Sequence, residues 1–519
     1  MSDTQPEKKS PLQEIVQPFV DLIHAPRALW GINLGYLIEG MVYFGMLGYL
    51  AMFFNDYVGL DDVWAGRMVG VLTAGITISM FFLGTVADRK GVRFAIVGAF
   101  VLMLAGRVLI SIGPTIGLTP GGLGSPIHLL VMGGILLVII GYGMYQPGAY
   151  AAVREFTTPK TAGMAFAMLY ALMNLGGWLP SFFGFVRKAV GISGAFWVYT
   201  SLTAVALVAT SIILSRKTVK EAIARAKAER EREEREAQSQ QKEVICPNEQ
   251  CGASNAPDAE FCATCGQRLK EEQAEEPVEK WNWDLASLKR WAVNHPLADA
   301  KFSYFIFCLI PVQTLFAHNW LTLPMYVDRA FHGTLIGDYF EFAVNLNPLL
   351  IFILVPMVTA LTQRSNVYNM MILGTFVMAA PTFLLALGPT PWTLAGFLLI
   401  MTLGEAMWQP RFLQYAAEIA PKGRTGAYMG VAQLPWFLTK LLVPLYSGWF
   451  LQKYCPGPVK LPAIYPFFEE TKLYWPPEFL NTQTMWFIYG CIAVTSTVFL
   501  ILARGWLAKD FNAQHAKGR

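Results

Sequence analysis

The stretch GITISMFFLGTVADRKGVR, residues 75–93, decides how the whole chain is read. It begins as an uncharged run and ends in a charged turn, Asp88-Arg89-Lys90-Gly91-Val92-Arg93. Eight residues separate Gly75 from Gly84, and three more separate Gly84 from Asp88. Each residue type has a physical use here. Glycines on a helix let a neighbouring backbone come close. Asp88 can accept hydrogen bonds at a helix N-terminus or from an arginine. The basic cluster holds the turn at the cytoplasmic face of a membrane. That preference alone would give a merely basic loop. The spaced glycines and the Asp-Arg-Lys-Gly order go beyond it, so the stretch reads as two spans joined by a short inner loop.

Composition supports a membrane protein. The 519 residues are 54% hydrophobic and only 15% charged, against roughly 25% charged in an average soluble domain. Much of the charge crowds into residues 216–300. The net charge of +4 is too small to point to a nucleic-acid partner. Seven cysteines form no disulfide pattern: four share one short segment, and Cys308, Cys455 and Cys491 are scattered. The opening MSDTQPEKKS lacks the apolar core and cleavage site of a signal peptide. The first hydrophobic segment is therefore expected to remain as a span.

A bilayer core of about 30 Å needs about 20 mostly apolar residues in a helix. Twelve segments qualify: 29–54, 64–87, 93–113, 127–151, 163–187 and 195–215, then 302–327, 341–363, 368–388, 393–419, 425–450 and 484–506. With both termini cytoplasmic, the short inner loops and tails hold fifteen Lys and Arg, and the outer loops hold six. The positive-inside bias thus places the termini, and the charged 216–300 linker with them, in the cytoplasm of a cell whose plasma or inner membrane the chain crosses. Leu12, Ile15, Val16, Phe19, Val20 and Ile23 recur at helical spacing and read as an amphipathic anchor before the first span. The expected organisation is an N-terminal segment (1–27), a six-helix bundle (28–215), a cytoplasmic linker (216–300), a second six-helix bundle (301–508) and a tail (509–519).

The 75–93 stretch resembles the signature loop of the major facilitator superfamily, with Gly84, Asp88, Arg89, Gly91 and Arg93 at the motif positions. Further segments are similar to its proton-dependent oligopeptide transporter branch. They are Gly141-Tyr-Gly-Met-Tyr-Gln-Pro147-Gly-Ala-Tyr150 in span 4, Tyr170-Ala-Leu-Met-Asn174-Leu-Gly-Gly177-Trp178 in span 5 and Gln313 in span 7. Asn345-Leu-Asn347-Pro348 in span 8 and Gly404-Glu405 in span 10 complete the series. The resemblance implies an all-α membrane fold of two six-helix bundles. It also implies proton-coupled symport of short peptides or similar small solutes by alternating access. Two departures bear on that. The family's Glu-x-x-Glu-Arg motif of span 1 is Tyr36-Leu-Ile-Glu39-Gly40 here, and its span-4 lysine is Gln146. Both missing cations are tied in the family to proton coupling or carboxylate recognition.

Burying a charge in a bilayer costs at least a few kcal/mol, so each intramembrane ionisable group needs a reason. Glu39 lies roughly 18 Å along the helix from Arg27, near the midplane. Glu405 lies at a similar depth in span 10, where the matching family residue contacts the substrate's amino group. The expected roles are a protonation site at Glu39 and a substrate or cation site at Glu405. The alternative is that each carboxylate pairs with a fixed cation, Arg107 in span 3 or Lys440 in span 11. Lys440 either replaces the lost span-4 lysine as an anion contact or snorkels outward. Arg107 is expected to serve structure rather than substrate. Tyr43, Gln146, Asn174 and Gln313 are cavity candidates, although polar side chains in spans also glue helices together. His318, as the lone titratable ring in span 7, is a weak candidate for a proton site.

Residues 216–243 form a Glu/Arg/Lys run, read either as a solvated helix or as disorder. Then comes Cys246-x4-Cys251, ten residues, and Cys262-x2-Cys265, with a glycine after each pair. Four thiolates on two knuckles suit tetrahedral zinc, and the glycines permit the knuckle turns. A zinc ribbon over 244–270 with one structural Zn2+ follows, since four ligands leave no open position and a cytoplasmic disulfide is disfavoured. Such a ribbon can dock a protein partner, dock on the transporter itself or only stabilise the linker. Trp281, Trp283 and Trp291 suggest an interfacial helix leading into span 7. No nucleophile–base set, phosphate loop or filter-like repeat is present, which argues against an enzyme or a channel. The readings left are a proton-coupled symporter, an uncoupled or export carrier for another metabolite, and a membrane sensor or scaffold presenting the ribbon.

Overall fold

In lipid a backbone must satisfy its own hydrogen bonds, so apolar runs of this length become helices. The computed structural model describes residues 26–157, 159–240, 244–246, 251, 253–255, 261–266, 289, 293, 295–362, 365–419, 425–460 and 472–507. The expected anchor over 12–23, the Trp281–Trp291 segment, Arg364, Lys422, Arg424 and the tail from 508 lie outside these residues, as does the side chain of Asp88. Among the described residues, nine apolar helical stretches are long enough to cross a membrane, and one, Met168–Ile213, holds two crossings divided at Gly191. Pro391–Ile419 and the pair Thr425–Val431 and Leu434–Tyr454 supply spans 10 and 11. The result is twelve spans in two bundles of six.

Local chemistry sets where helices stop. Span 1 (Arg27–Phe53) starts after Pro26 and ends in a widened turn, Phe54–Val58. Gly59 follows at φ 81, a left-handed conformation that favours glycine. Asp61 caps span 2 (Asp62–Leu83) by accepting from the Trp64 amide at 2.8 Å. In the quoted loop, one helical turn, Val86–Lys90, ends at Gly91, φ 84, before span 3 (Val92–Thr115) begins. A Cβ on Gly75 would stand 2.6 Å from Ile139 Cδ1, and one on Gly84 3.6 Å from Pro147 Cβ. Both glycines thus face span 4 (Pro126–Phe156). Arg93 Nε donates to Leu214 O at 2.7 Å, closing the carbonyl end of span 6.

After span 6, the helix Arg216–Gln240 runs along the ends of the first bundle. Its Val219, Ala222 and Ala226 are buried, and Arg230 donates to the Thr157 and Arg154 carbonyls at the end of span 4. This helix marks one face of the molecule as the linker face. Span 7 is broken into Ala300–Phe307, Ile310–Leu321 and Leu323–Ala330, and span 8 into Phe340–Val344 and Leu346–Leu361. Such interruptions are tolerated where they border protein or a cavity rather than lipid. Val367–Ala379 with Thr382–Leu385 forms span 9, and Thr482–Leu502 forms span 12.

The halves meet most heavily where spans 2 and 11 pack together, and next where spans 5 and 8 do. Gly66 and Gly70 face Pro444, while a Cβ on Gly448 would lie 2.2 Å from the Asp62 carbonyl oxygen. Backbone cannot yield as a side-chain tip can, so Gly448→Val must push span 2 away. Cys455 is fully buried and its carbonyl accepts from Arg329 at 2.7 Å, so it serves as the reporter. Gly448→Val is expected to make Cys455 alkylate with a maleimide at least about tenfold faster than in the parent protein, read by mass spectrometry. An unchanged rate would show that the seam accommodates the side chain.

Candidate functional site

The face opposite the linker is closed by charge. Arg329 in the last segment of span 7 donates to both oxygens of Asp62 at 2.7 Å. Arg187 and the Tyr49 hydroxyl both donate to Glu341, and Lys472 donates to Asp56 at 2.6 Å. Lys188 donates to Asp338 at 2.8 Å and holds that carboxyl below the usual carboxylate range. A lowered carboxyl stabilises above its unfolded pKa and loses that contribution only as pH falls through the folded value, so this tie outlasts mild acid. Each of these contacts joins the first half of the chain to the second. On the linker face no ion pair joins the halves among the described residues.

Beneath this closed face lies a cavity of about 530 Å³. Its first-half wall includes Tyr36 and Phe44 of span 1, Gln146 and Tyr150 of span 4, and Tyr170 and Asn174 of span 5. The second half supplies Asn319, Asn347, Glu405, Gln409, Gln433, Trp436 and Lys440, from spans 7, 8, 10 and 11. Tyr150 and Gln433 are exposed and lie towards the linker-face ends of their spans, so the cavity opens on that side. Glu405 is 3% exposed and accepts from Asn347 Nδ2 at 2.8 Å, while that amide also donates to Thr402 at 3.0 Å. Among the described residues, no ion pair or hydrogen bond engages the Lys440 ammonium.

A family model described as Major Facilitator Superfamily matches residues 102–444. The chain belongs to the major facilitator superfamily. This carrier also shares its fold with solved transporters. One is described as the peptide transporter POT in complex with sulfate: 16% identity, TM-score 0.61, covering 93% of this chain and 95% of that one. A second is a POT family transporter in complex with 5-aminolevulinic acid: 16% identity, TM-score 0.62, covering 93% and 97%. A third is a POT family transporter in complex with a thioalcohol conjugated peptide: 14% identity, TM-score 0.62, covering 95% and 100%. No curated protein sequence matches the chain.

Of the residues singled out in the sequence, this major facilitator chain brings Gln146, Asn174, Glu405 and Lys440 together in the cavity. Glu39, Tyr43 and Gln313 stand elsewhere. Glu39 is buried inside the first bundle, where Arg107 donates to both its oxygens, one at 2.8 Å, and the Tyr142 hydroxyl donates as well. Arg107 also donates to Thr203 at 2.7 Å. Of the two cations proposed as partners, Arg107 is therefore the one that meets Glu39. Tyr43 packs on Tyr142 and borders a small apolar void beside Arg107. Gln313 is fully buried, and its amide atoms find no hydrogen-bond partner among the described residues. His318 lies between Thr322 and the Tyr446 hydroxyl and stacks on Tyr489.

Sequence reading missed Asn347, Gln409, Gln433, Tyr150 and Tyr170 as wall residues. Helical spacing held a signal for several of them. Glu405, Gln409 and Phe412 recur at i, i+4, i+7 on span 10, and Gln433, Trp436 and Lys440 at i, i+3, i+7 on span 11.

Beyond the spans, Val244–Ile245 pairs antiparallel with Ser254–Asn255. Beside this hairpin, the ligand atoms of Cys246, Cys251, Cys262 and Cys265 all lie within 4.8 Å of one another. Cys246 and Cys265 sulfurs are 3.5 Å apart, and those of Cys251 and Cys262 3.8 Å, too far for disulfides. Gly266 adopts φ 72 and donates its amide to Cys262 O at 2.9 Å, forming the second knuckle turn. The cluster has the donor set and spacing to hold a metal ion.

Proposed function

We propose that this carrier moves a small peptide-like or zwitterionic solute by alternating access, coupled to protons, with the solute bound in the central cavity. The observation that carries this is the cavity itself. It is walled by both bundles near mid-membrane, closed on one face by ion pairs, and contains Glu405 with no cation beside it among the described residues. A cavity-facing carboxylate without a paired cation is open to a substrate ammonium or to a proton. Glu405 is thus the proposed contact for a substrate ammonium and for the coupling proton. Glu39, neutralised by Arg107, is proposed to hold the first bundle together rather than to carry protons. The ligands named for two of the structurally similar transporters, an amino acid derivative and a conjugated peptide, support this solute class.

By the Lys and Arg distribution, the linker face is proposed to be cytoplasmic, which makes the structure an inward-open state. Substrate counterflow tests the carrier reading. Proteoliposomes preloaded with unlabelled alanyl-alanine should take up the labelled dipeptide well above empty liposomes. Uptake at the empty-liposome level by folded protein would overturn the peptide reading.

The four-cysteine cluster is proposed to hold one structural Zn2+. Four sulfurs about 2.3 Å from a tetrahedral zinc lie about 3.8 Å from one another, close to the separations seen. Zinc would lock the hairpin and the knuckle turn to each other. Elemental analysis of purified protein should find one zinc per chain, lost in Cys246→Ser/Cys262→Ser. Equal metal content in parent and variant would exclude the cluster as the site.

A further inference from the structure

The cavity's charges are divided unevenly. Among the described residues, its first-half wall offers only neutral groups, including Gln146, Tyr150, Tyr170 and Asn174. The two charged groups among the described lining residues, Glu405 and Lys440, belong to the second half. Glu405 has its position fixed by Asn347, whereas the Lys440 ammonium has no partner among the described residues. Lys440 is half-buried on the wall of a cavity whose described carboxylate is already held by Asn347, so its ammonium is available to a negatively charged ligand.

Lys440 also stands at a mechanical boundary. Its carbonyl accepts from Thr73 Oγ1 of span 2 at 3.2 Å. One turn further along span 11, Pro444 lies against Gly70, and the glycine-lined seam continues to Gly448 and Asp62. Asp62 in turn holds Arg329 at the closed face. Along span 11, Lys440 therefore both lines the cavity and touches span 2.

We infer that Lys440 is the anion-docking residue of the cavity, and that the carried solute is an amino-carboxylate held at both ends by the second bundle. Its ammonium meets Glu405 and its carboxylate meets Lys440, while the first bundle contributes neutral hydrogen bonds to the middle. A lysine in this role is a point charge on a flexible stem, so it accommodates solutes of different length where a fixed guanidinium fork would not. A carboxylate bound here rests against the span 2–span 11 seam, placing the occupied site beside the contact that must open. The inference rests on the carrier reading above.

The test compares binding of alanyl-alanine with alanyl-alanine amide, and of 5-aminolevulinic acid with its methyl ester, by thermal shift of the purified full-length protein. The parent protein should bind each acid at least about tenfold more tightly than its neutral-ended partner. Lys440→Gln and Lys440→Met should lose that preference through weaker acid binding, and Lys440→Arg should keep it. Unliganded melting temperatures show whether each variant is folded, and either neutral variant suffices. An acid preference that survives loss of the ammonium in a folded variant would overturn the inference and leave the carrier reading standing. Binding of none of the four probes to the parent protein would also overturn it. Lys440-dependent acid binding without counterflow would uphold the docking site and overturn the carrier reading.

Discussion

Arg107→Ala should be the most destabilising single change in the first bundle. The guanidinium is fully enclosed, donates to both oxygens of Glu39 and to Thr203, and has no route to water. Removing it strands a carboxylate among Tyr142, Tyr43 and apolar side chains. Breaking a buried pair in this way costs about 3–5 kcal/mol, because the remaining charge is uncompensated. For a bundle of this size that corresponds to a fall in melting temperature of ~10 °C. The double variant Glu39→Gln/Arg107→Gln removes both charges and should recover much of the loss, since replacing a whole buried pair is often nearly neutral. Thermal unfolding in detergent, followed by intrinsic fluorescence, checks both expectations. An Arg107→Ala protein melting within a degree or two of the parent would mean that Glu39 does not carry a charge that needs neutralising.

Glu405→Gln should do the opposite: little to stability and much to transport. The amide is nearly isosteric, and its oxygen can still accept from Asn347, so the fold should hold. What disappears is the negative charge facing the cavity. A hydrogen bond to a charged group is worth about 1.5–3 kcal/mol, so binding of an ammonium-bearing solute should weaken ten- to hundredfold, or roughly 1.4 kcal/mol per factor of ten. Direct binding and counterflow by the same preparation measure this. Parent-like affinity in Glu405→Gln would remove the carboxylate from the site.

The fold was largely legible because its signals are local. Gly75 and Gly84 do face a neighbouring span, and Gly91 takes the left-handed backbone that the loop requires. Run length needed no knowledge of packing. The cavity was legible only in part, and Glu39 shows why. Its depth followed from counting residues along span 1, but its direction around the helix did not. At 100° per residue it stands about 60° around the axis from Tyr36 and about 140° from Phe44, both on the cavity wall, so the helical angle alone did not show that it would turn to Arg107 inside the bundle. Which cation it would meet depended on how spans 1 and 3 cross, and no residue pattern within either span fixes that. Gln313 presents the same difficulty in span 7. By contrast, Glu405 and Lys440 belong to polar stripes at helical spacing, and such stripes indicate direction as well as depth.

The ties between the halves follow where charge is placed. Asp62, Glu341, Asp338 and Asp56 each meet a cation from the other half on the face opposite the linker. For the carrier to turn over, those ties must break and the linker face must close. Binding energy at the central site, with a proton on Glu405, is the proposed source of that exchange.

The most direct measurement is accumulation of labelled alanyl-alanine in proteoliposomes under an imposed inward proton gradient. Proton-coupled carriage predicts an internal concentration rising above the external one and collapsing to equilibrium when a protonophore is added. Uptake that only equilibrates, with the same rate and extent whether or not the gradient is present, would contradict it.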